Sequence, residues 1–145
     1  MSVAGNSGAA CELCSNPGGE ILWSDQRCRV IRVDDAAFPG YCRVVWNAHA
    51  VEMTDLAAAD RRHLMAVVFS VESAVRTVTQ AAKINLASFG NVVPHLHWHI
   101  IPRWQDDSHF PQAVWGSRQR EGALRSIDQV ALQEKICKLL ANNGD

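Results

Sequence analysis

The chain has 145 residues, enough for one domain whose core needs no disulfide support. It is 48% hydrophobic and 20% charged, an ordinary globular balance, and its net charge of −1 gives no basic field for a long nucleic acid. No apolar run approaches the length of a membrane span.

Met1 to Ala10 is small and polar, with neither a charged n-region nor an apolar h-region. It reads as a disordered tail over residues 1–10 rather than a signal peptide. Cys11-Glu-Leu-Cys14 and the following Ser-Asn-Pro-Gly-Gly form a knuckle-like loop. Ile21–Trp23 and Arg27–Val33 pair as a hairpin across Ser24-Asp25-Gln26. Arg27, Arg29, Arg32 and Arg43 alternate with apolar residues and read as facing water, with one of them free to meet a phosphate. Pro39-Gly40 marks a turn before a third strand, Tyr41–Trp46. Thr54 or Asp55 caps a short turn.

Helical spacing then runs from Ala57 to Ala81, with Leu64, Val67, Val68, Val71, Val75 and Val78 as the core stripe. His63, beside Arg61 and Arg62, falls on its solvated side. Lys83–Phe89 is a strand, and Gly90-Asn91 connects it tightly to Val93–Arg103, where Pro102 stops the strand. Residues 105–125 are irregular. Ser126 with Gln129 reads as a capping box for a last helix presenting Ile127, Val130, Ile136, Leu139 and Leu140. The order predicts an antiparallel α+β domain of about five strands, one long central helix and a C-terminal helix.

The chemistry concentrates in His95-Leu-His97-Trp-His99, which holds half of the six histidines. On a strand the three imidazoles share one face, with Leu96, Trp98 and Ile100 on the other. Adjacent rings stand about 7 Å apart and the outer pair about 13 Å, so three ligands on one ion make a poor site without a bend. Phosphate chemistry fits better. A histidine near its ordinary pKa of about 6.5 is largely neutral at physiological pH and is a ready nucleophile.

These residues resemble the His-x-His-x-His-x-x signature of the histidine triad (HIT) family. The resemblance extends to Gly40–His49, Met53-Thr-Asp-Leu56, Lys83-Ile-Asn85, Gly90-Asn91 and Ile101-Pro-Arg103. With Asp107–Trp115 included, the pattern is similar to a bacterial HIT-like, diadenosine-tetraphosphate-hydrolase-like branch. It implies a HIT domain over residues 11–115 and a helical extension over residues 116–145. It also implies nucleotidyl hydrolysis or transfer: His97 attacks the α-phosphorus, His99 contacts the phosphate or leaving-group oxygen, and His95 supports the cluster with His49. Asn85, Asn91 and Asp34 would touch ribose or phosphate. The expected substrate is a small nucleotide, with adenine the family default, and the expected assembly is a homodimer joined through its sheets. No cofactor is required for the chemistry. Asn91-Val92 replaces the Gln-Ser/Thr of many members, and Trp46-Asn47 replaces Pro-Lys. Trp115 is placed to cover the site of its own or a partner subunit.

Cys11 and Cys14 have zinc-knuckle spacing. The resemblance completes a structural zinc site with His49 and His95. The alternative is two free thiols in a loop, with His49 hydrogen-bonded to His95. Cys28, Cys42 and Cys137 fall in apolar patterns and read as small core residues. The odd count of five cysteines predicts reduced thiols in the cytoplasm. Two rival functions follow from the same residues: a metallohydrolase with zinc in the histidine cluster, and a non-catalytic nucleotide-binding scaffold.

Overall fold

The computed structural model describes residues 10–142, so the tail expected over residues 1–10 lies almost wholly outside the described residues. Five strands form one antiparallel sheet: β1 (Glu20–Ser24), β2 (Cys28–Arg32), β3 (Cys42–Trp46), β4 (Lys83–Ala87) and β5 (His97–Arg103), in the order β1-β2-β3-β5-β4. A one-turn helix, α1 (Glu12–Ser15), precedes the sheet. The long helix α2 (Ala58–Thr79) separates β3 from β4, and α3 (Gln129–Asn142) closes the described chain.

Register decides which residues meet on each face. Arg43 stands opposite His99 and Val45 opposite His97, while Val44 pairs Trp98 and Cys42 pairs Ile100. Because side chains alternate, Val30, Cys42, Val44 and Ile100 face one way. There they are fully buried with Leu64, Val68, Val71 and Val75 of α2 and Leu132 and Ile136 of α3. Each such side chain contributes about 1.5–3 kcal/mol through loss of apolar contact with water. This face is the core. The opposite face carries Arg29, Ile31, Arg43, Val45, His97 and His99. It is covered in part by Cys11 and Leu13 of the N-terminal knuckle and by Phe38.

The valine stripe of α2 is the buried face that its spacing predicts, except that Val78 is only half-buried. Gln80, at φ 56°, ends the helix in the left-handed region, its N–H bonded to the Arg76 carbonyl. Before α2 the cap of the 3₁₀ turn (Met53–Asp55) is Glu52 rather than Thr54 or Asp55; Asp55 completes a capping box from inside the turn, its Oδ2 accepting the Glu52 N–H at 3.0 Å.

Four further local expectations are corrected. The last strand begins at His97, not Val93, because the His95 N–H turns back onto the Val93 carbonyl. That strand also runs through Pro102. β3 pairs no further than Ile100, so the missing proline N–H falls where one side of β5 is already unpaired. The cap of α3 is Asp128, whose Oδ1 accepts the Ala131 N–H at 2.9 Å, rather than a Ser126–Gln129 box. Leu132 and Ile136 anchor that helix, and Val130 points to solvent at 67% exposure.

Candidate active site

His97 and His99 extend from the centre of the sheet into a cleft of about 240 Å³. Leu13 and Gly18 of the knuckle wall it on one side, and Phe89, Val93 and Trp115 on the other. The two rings lie edge to face, 4.8 Å apart. His97 Nδ1 is 2.5 Å from the carbonyl of His95. A carbonyl only accepts, so Nδ1 carries the proton and Nε2 keeps its lone pair. Burial, helped by the Arg43 charge and opposed by that carbonyl, holds the His97 pKa below the ordinary histidine value. The ring is therefore neutral at pH 7. Gly90 makes the close approach possible: a Cβ there would lie 2.9 Å from the Val93 carbonyl and 3.7 Å from His97 Cε1.

His99 takes the other tautomer. Its Nδ1 is 2.6 Å from the Tyr41 hydroxyl and 3.4 Å from Arg43 Nε. A guanidinium only donates, so Nδ1 accepts and the proton sits on Nε2, which faces the Phe89 carbonyl at 3.4 Å. Burial, then the His97 and Arg43 charges, push His99 down to about 4. Burial also raises Tyr41, which stays a donor. Trp115 covers its own cleft, edge-on to His99 at 4.9 Å and stacked on Phe89 at 4.6 Å.

His95, fully buried, belongs to a different group of atoms. Its Nδ1 lies 3.2 Å from Cys11 Sγ and 3.4 Å from Cys14 Sγ, and His49 Nδ1 lies 3.3 Å from Cys14 Sγ. The ligand atoms of Cys11, Cys14, His49 and His95 all fall within 4.8 Å of one another. His95 Nε2 is 2.5 Å from the Trp46 carbonyl, which fixes the proton there and turns the Nδ1 lone pair toward the sulfurs. Zinc bonded to sulfur at about 2.3 Å and to nitrogen at about 2.0–2.1 Å needs tetrahedral S···N edges of about 3.6 Å. The donor set fits zinc in type, number and spacing. His49 meets His95 edge to face at 5.3 Å, with no hydrogen bond between the rings.

Arg29 was expected to face water. It is instead 9% exposed and holds the knuckle, donating to the carbonyls of Leu13, Asn16 and Pro17 and to Asn47 Oδ1. His63 is likewise not solvated: its Nε2 is 2.7 Å from Asp25 Oδ2, tying α2 to the β1–β2 turn. Cys28 and Cys42 are core residues at 0% exposure; Cys137 is half-buried, with its Sγ near the Leu22 carbonyl.

Of the expected substrate-binding residues, His99 lines the cleft, whereas Asn85, Asn91 and Asp34 do not. Asn85 Oδ1 accepts Arg103 Nη1 at 2.8 Å. Asp34 is exposed in the turn after β2, and Asn91 is exposed beside the rim residue Val92. Tyr41 was not singled out from sequence. It sits just before β3 and meets His99 through its hydroxyl, a contact between segments 58 residues apart that no local pattern marks.

The HIT domain model matches residues 17–106, well over half of the chain. The chain belongs to the HIT family. A histidine triad protein from Bradyrhizobium japonicum is 30% identical with a TM-score of 0.67, the match covering 86% of this chain and 90% of that one. A Zn-bound histidine triad family protein from Mycobacterium smegmatis shares the HIT fold at 20% identity and a TM-score of 0.62, covering 94% and 96%. The AP-4-A phosphorylase of Mycobacterium tuberculosis is 26% identical over 102 residues, 66% of this chain. The chain spans about half (52%) of the length of that curated relative.

Proposed function

We propose that the protein hydrolyses a nucleoside phosphoric anhydride or phosphoramidate at its α-phosphorus and releases a nucleoside monophosphate. The observation that carries this reading is the pair of opposite tautomers. His97 keeps a neutral Nε2 lone pair in the cleft, and beside it His99 carries its proton on Nε2, held only at 3.4 Å by the Phe89 carbonyl, which a phosphate oxygen would displace. Nε2 of His97 forms the N–P bond, and the bond to the leaving group breaks with its electron pair going to that group. Water then opens the nucleotidyl-histidine. Two neighbouring imidazoles thus divide one reaction into attack and charge stabilisation. The similarity to the mycobacterial AP-4-A phosphorylase supports an adenine dinucleotide-type substrate. Asn85 is held by Arg103, and Asn85, Asn91 and Asp34 would have to reach substrate from outside the present lining.

Incubation with a panel of adenine nucleotides tests the proposal. It expects nucleoside monophosphate among the products. Binding without turnover across the panel would favour the scaffold reading.

Cys11, Cys14, His49 and His95 would hold a structural zinc. All four positions of such an ion are filled by protein, so it leaves no open position for a catalytic water. Its role is to tie the knuckle and the His49 segment behind His95, whose carbonyl orients His97. Purified protein is expected to contain one zinc per chain, and Cys14→Ser to lose it with a lower Tm. Loss of turnover on chelation, with the fold and Tm intact, would instead favour the metallohydrolase.

Among the described residues β4 is an edge strand of the sheet, and a homodimer joined along it matches the family expectation; light scattering should give twice the chain mass. Residues 11–115 carry the proposed catalytic domain and residues 116–145 the extension. No helix among the described residues is long and apolar enough to cross a membrane. All five cysteines are free, which supports a cytoplasmic setting.

A further inference from the structure

Arg43 is the only lysine or arginine among the residues lining the cleft. It stands directly opposite His99 in the β3–β5 ladder, whereas the residue opposite His97 is the apolar Val45. Its position on the strand fixes it to the His99 end of the site. The guanidinium lies 5.8 Å over the Tyr41 ring, with Nε 3.4 Å from His99 Nδ1. Among the described residues no carboxylate pairs with it. Glu12 lines the same cleft from α1 but makes no ion pair with Arg43. A half-buried cation without an ion-pair partner among the described residues, fixed at one end of the cleft, is a ready place for an anion.

We propose that Arg43 reads the leaving group, favouring substrates that depart as a phosphate oxyanion over substrates that depart as an amine. This rests on the nucleotidyl-transfer reading above. As the N–P bond forms at His97, the P–O bond breaks and its electron pair stays on the departing phosphate oxygen. Arg43 balances the charge that arrives there. Water then adds its oxygen to phosphorus, the N–P pair returns to Nε2, and a proton passes to solvent. An amine leaving group makes a different demand: it must gain a proton to leave. A guanidinium holds its proton too tightly to give one. A fixed cation beside a neutral His99 therefore favours an anhydride, whose extra phosphates also bring charge for Arg43 to bind.

The test compares kcat/KM for diadenosine tetraphosphate and for adenosine 5′-phosphoramidate in wild type, Arg43→Gln and Arg43→Lys. Loss of a charge-assisted contact predicts that Arg43→Gln lowers the anhydride-to-phosphoramidate ratio by about tenfold or more, with Arg43→Lys in between. Equal losses on both substrates, or no loss, would overturn the proposal. Thermal melting of each variant separates a folding defect from a lost contact. If wild type turns over neither substrate, the hydrolase reading fails, and Arg43 is judged by binding. ATP should then bind wild type more tightly than AMP does, and Arg43→Gln should erase that preference; a preference that survives the substitution would contradict the role.

Discussion

His97→Ala is expected to lower turnover of the preferred adenine nucleotide by at least about a thousandfold, while the protein stays folded and still binds nucleotide. Removing a covalent nucleophile takes away the first bond formed, and no neighbouring group can replace it. His99 cannot substitute, because its Nδ1 is occupied by Tyr41 and Arg43 and its proton sits on Nε2. His95 cannot substitute either: its Nε2 is bonded to the Trp46 carbonyl and its Nδ1 faces two sulfurs. His97 is 6% exposed and makes its ring hydrogen bond to the His95 carbonyl, just before its strand. The stability cost should therefore be modest beside the catalytic one. Steady-state kinetics with a melting curve on the same sample checks both halves. Turnover within a few-fold of wild type would contradict the assignment.

The second large effect is on stability. Asp107 is expected to be worth about 3–5 kcal/mol, the cost of leaving a buried charge without its partner. Its carboxylate is buried at 1% exposure against Arg103, also 1%. Oδ2 accepts Arg103 Nε at 2.9 Å and the Trp104 N–H at 3.0 Å; Oδ1 accepts Arg103 Nη2 and the N–H groups of His109 and Phe110. Arg103 also reaches Asn85 Oδ1 and the Gln112 carbonyl, and lies against the Phe38 and Phe110 rings. One carboxylate thus folds the segment that delivers Trp115 to the cleft. Asp107→Ala should lower the denaturant midpoint and speed amide exchange over residues 104–116.

The pH dependence of that effect has a defined sign. Burial would raise the Asp107 pKa, but Arg103 and the backbone N–H donors outweigh it and hold it down at about 2, against an ordinary 3.8. The folded state thus favours the charged form. Its stabilisation is complete above 3.8 and drains away as pH falls through about 2. The gap between wild type and Asp107→Asn should be full at neutral pH and begin to close below 3.8. A gap that is constant down the acid limb would show that Asp107 is not held as a buried carboxylate.

These residues also show what a sequence can and cannot reveal. The alternating histidines, the valine stripe and the Pro39-Gly40 turn are local patterns, and each appears in the fold close to where periodicity puts it. What escaped was set by contacts between distant segments. Arg29 looks like any strand arginine facing water, yet carbonyls 12 to 16 residues earlier enclose it. His63 sits among arginines on a helix and is claimed by Asp25, 38 residues away. Arg43 acquires its relation to His99 only through the β3–β5 register, and Tyr41, just before β3, only through a side-chain hydrogen bond across 58 residues. His95 shares the spacing of its two neighbours, but the chain turns just before the strand and gives it to the cysteines; spacing alone does not separate it, whereas the family resemblance does group it with Cys11, Cys14 and His49. Periodicity marks which side chains share a face; it does not say where a strand begins.

The most direct test of the central claim is the intact mass of the protein, quenched in acid-free conditions during turnover of diadenosine tetraphosphate. The account predicts one added adenylyl group, mapped by peptide fragmentation to His97 and absent from His97→Ala. An adenylyl group on another residue, or full turnover by His97→Ala, would contradict it.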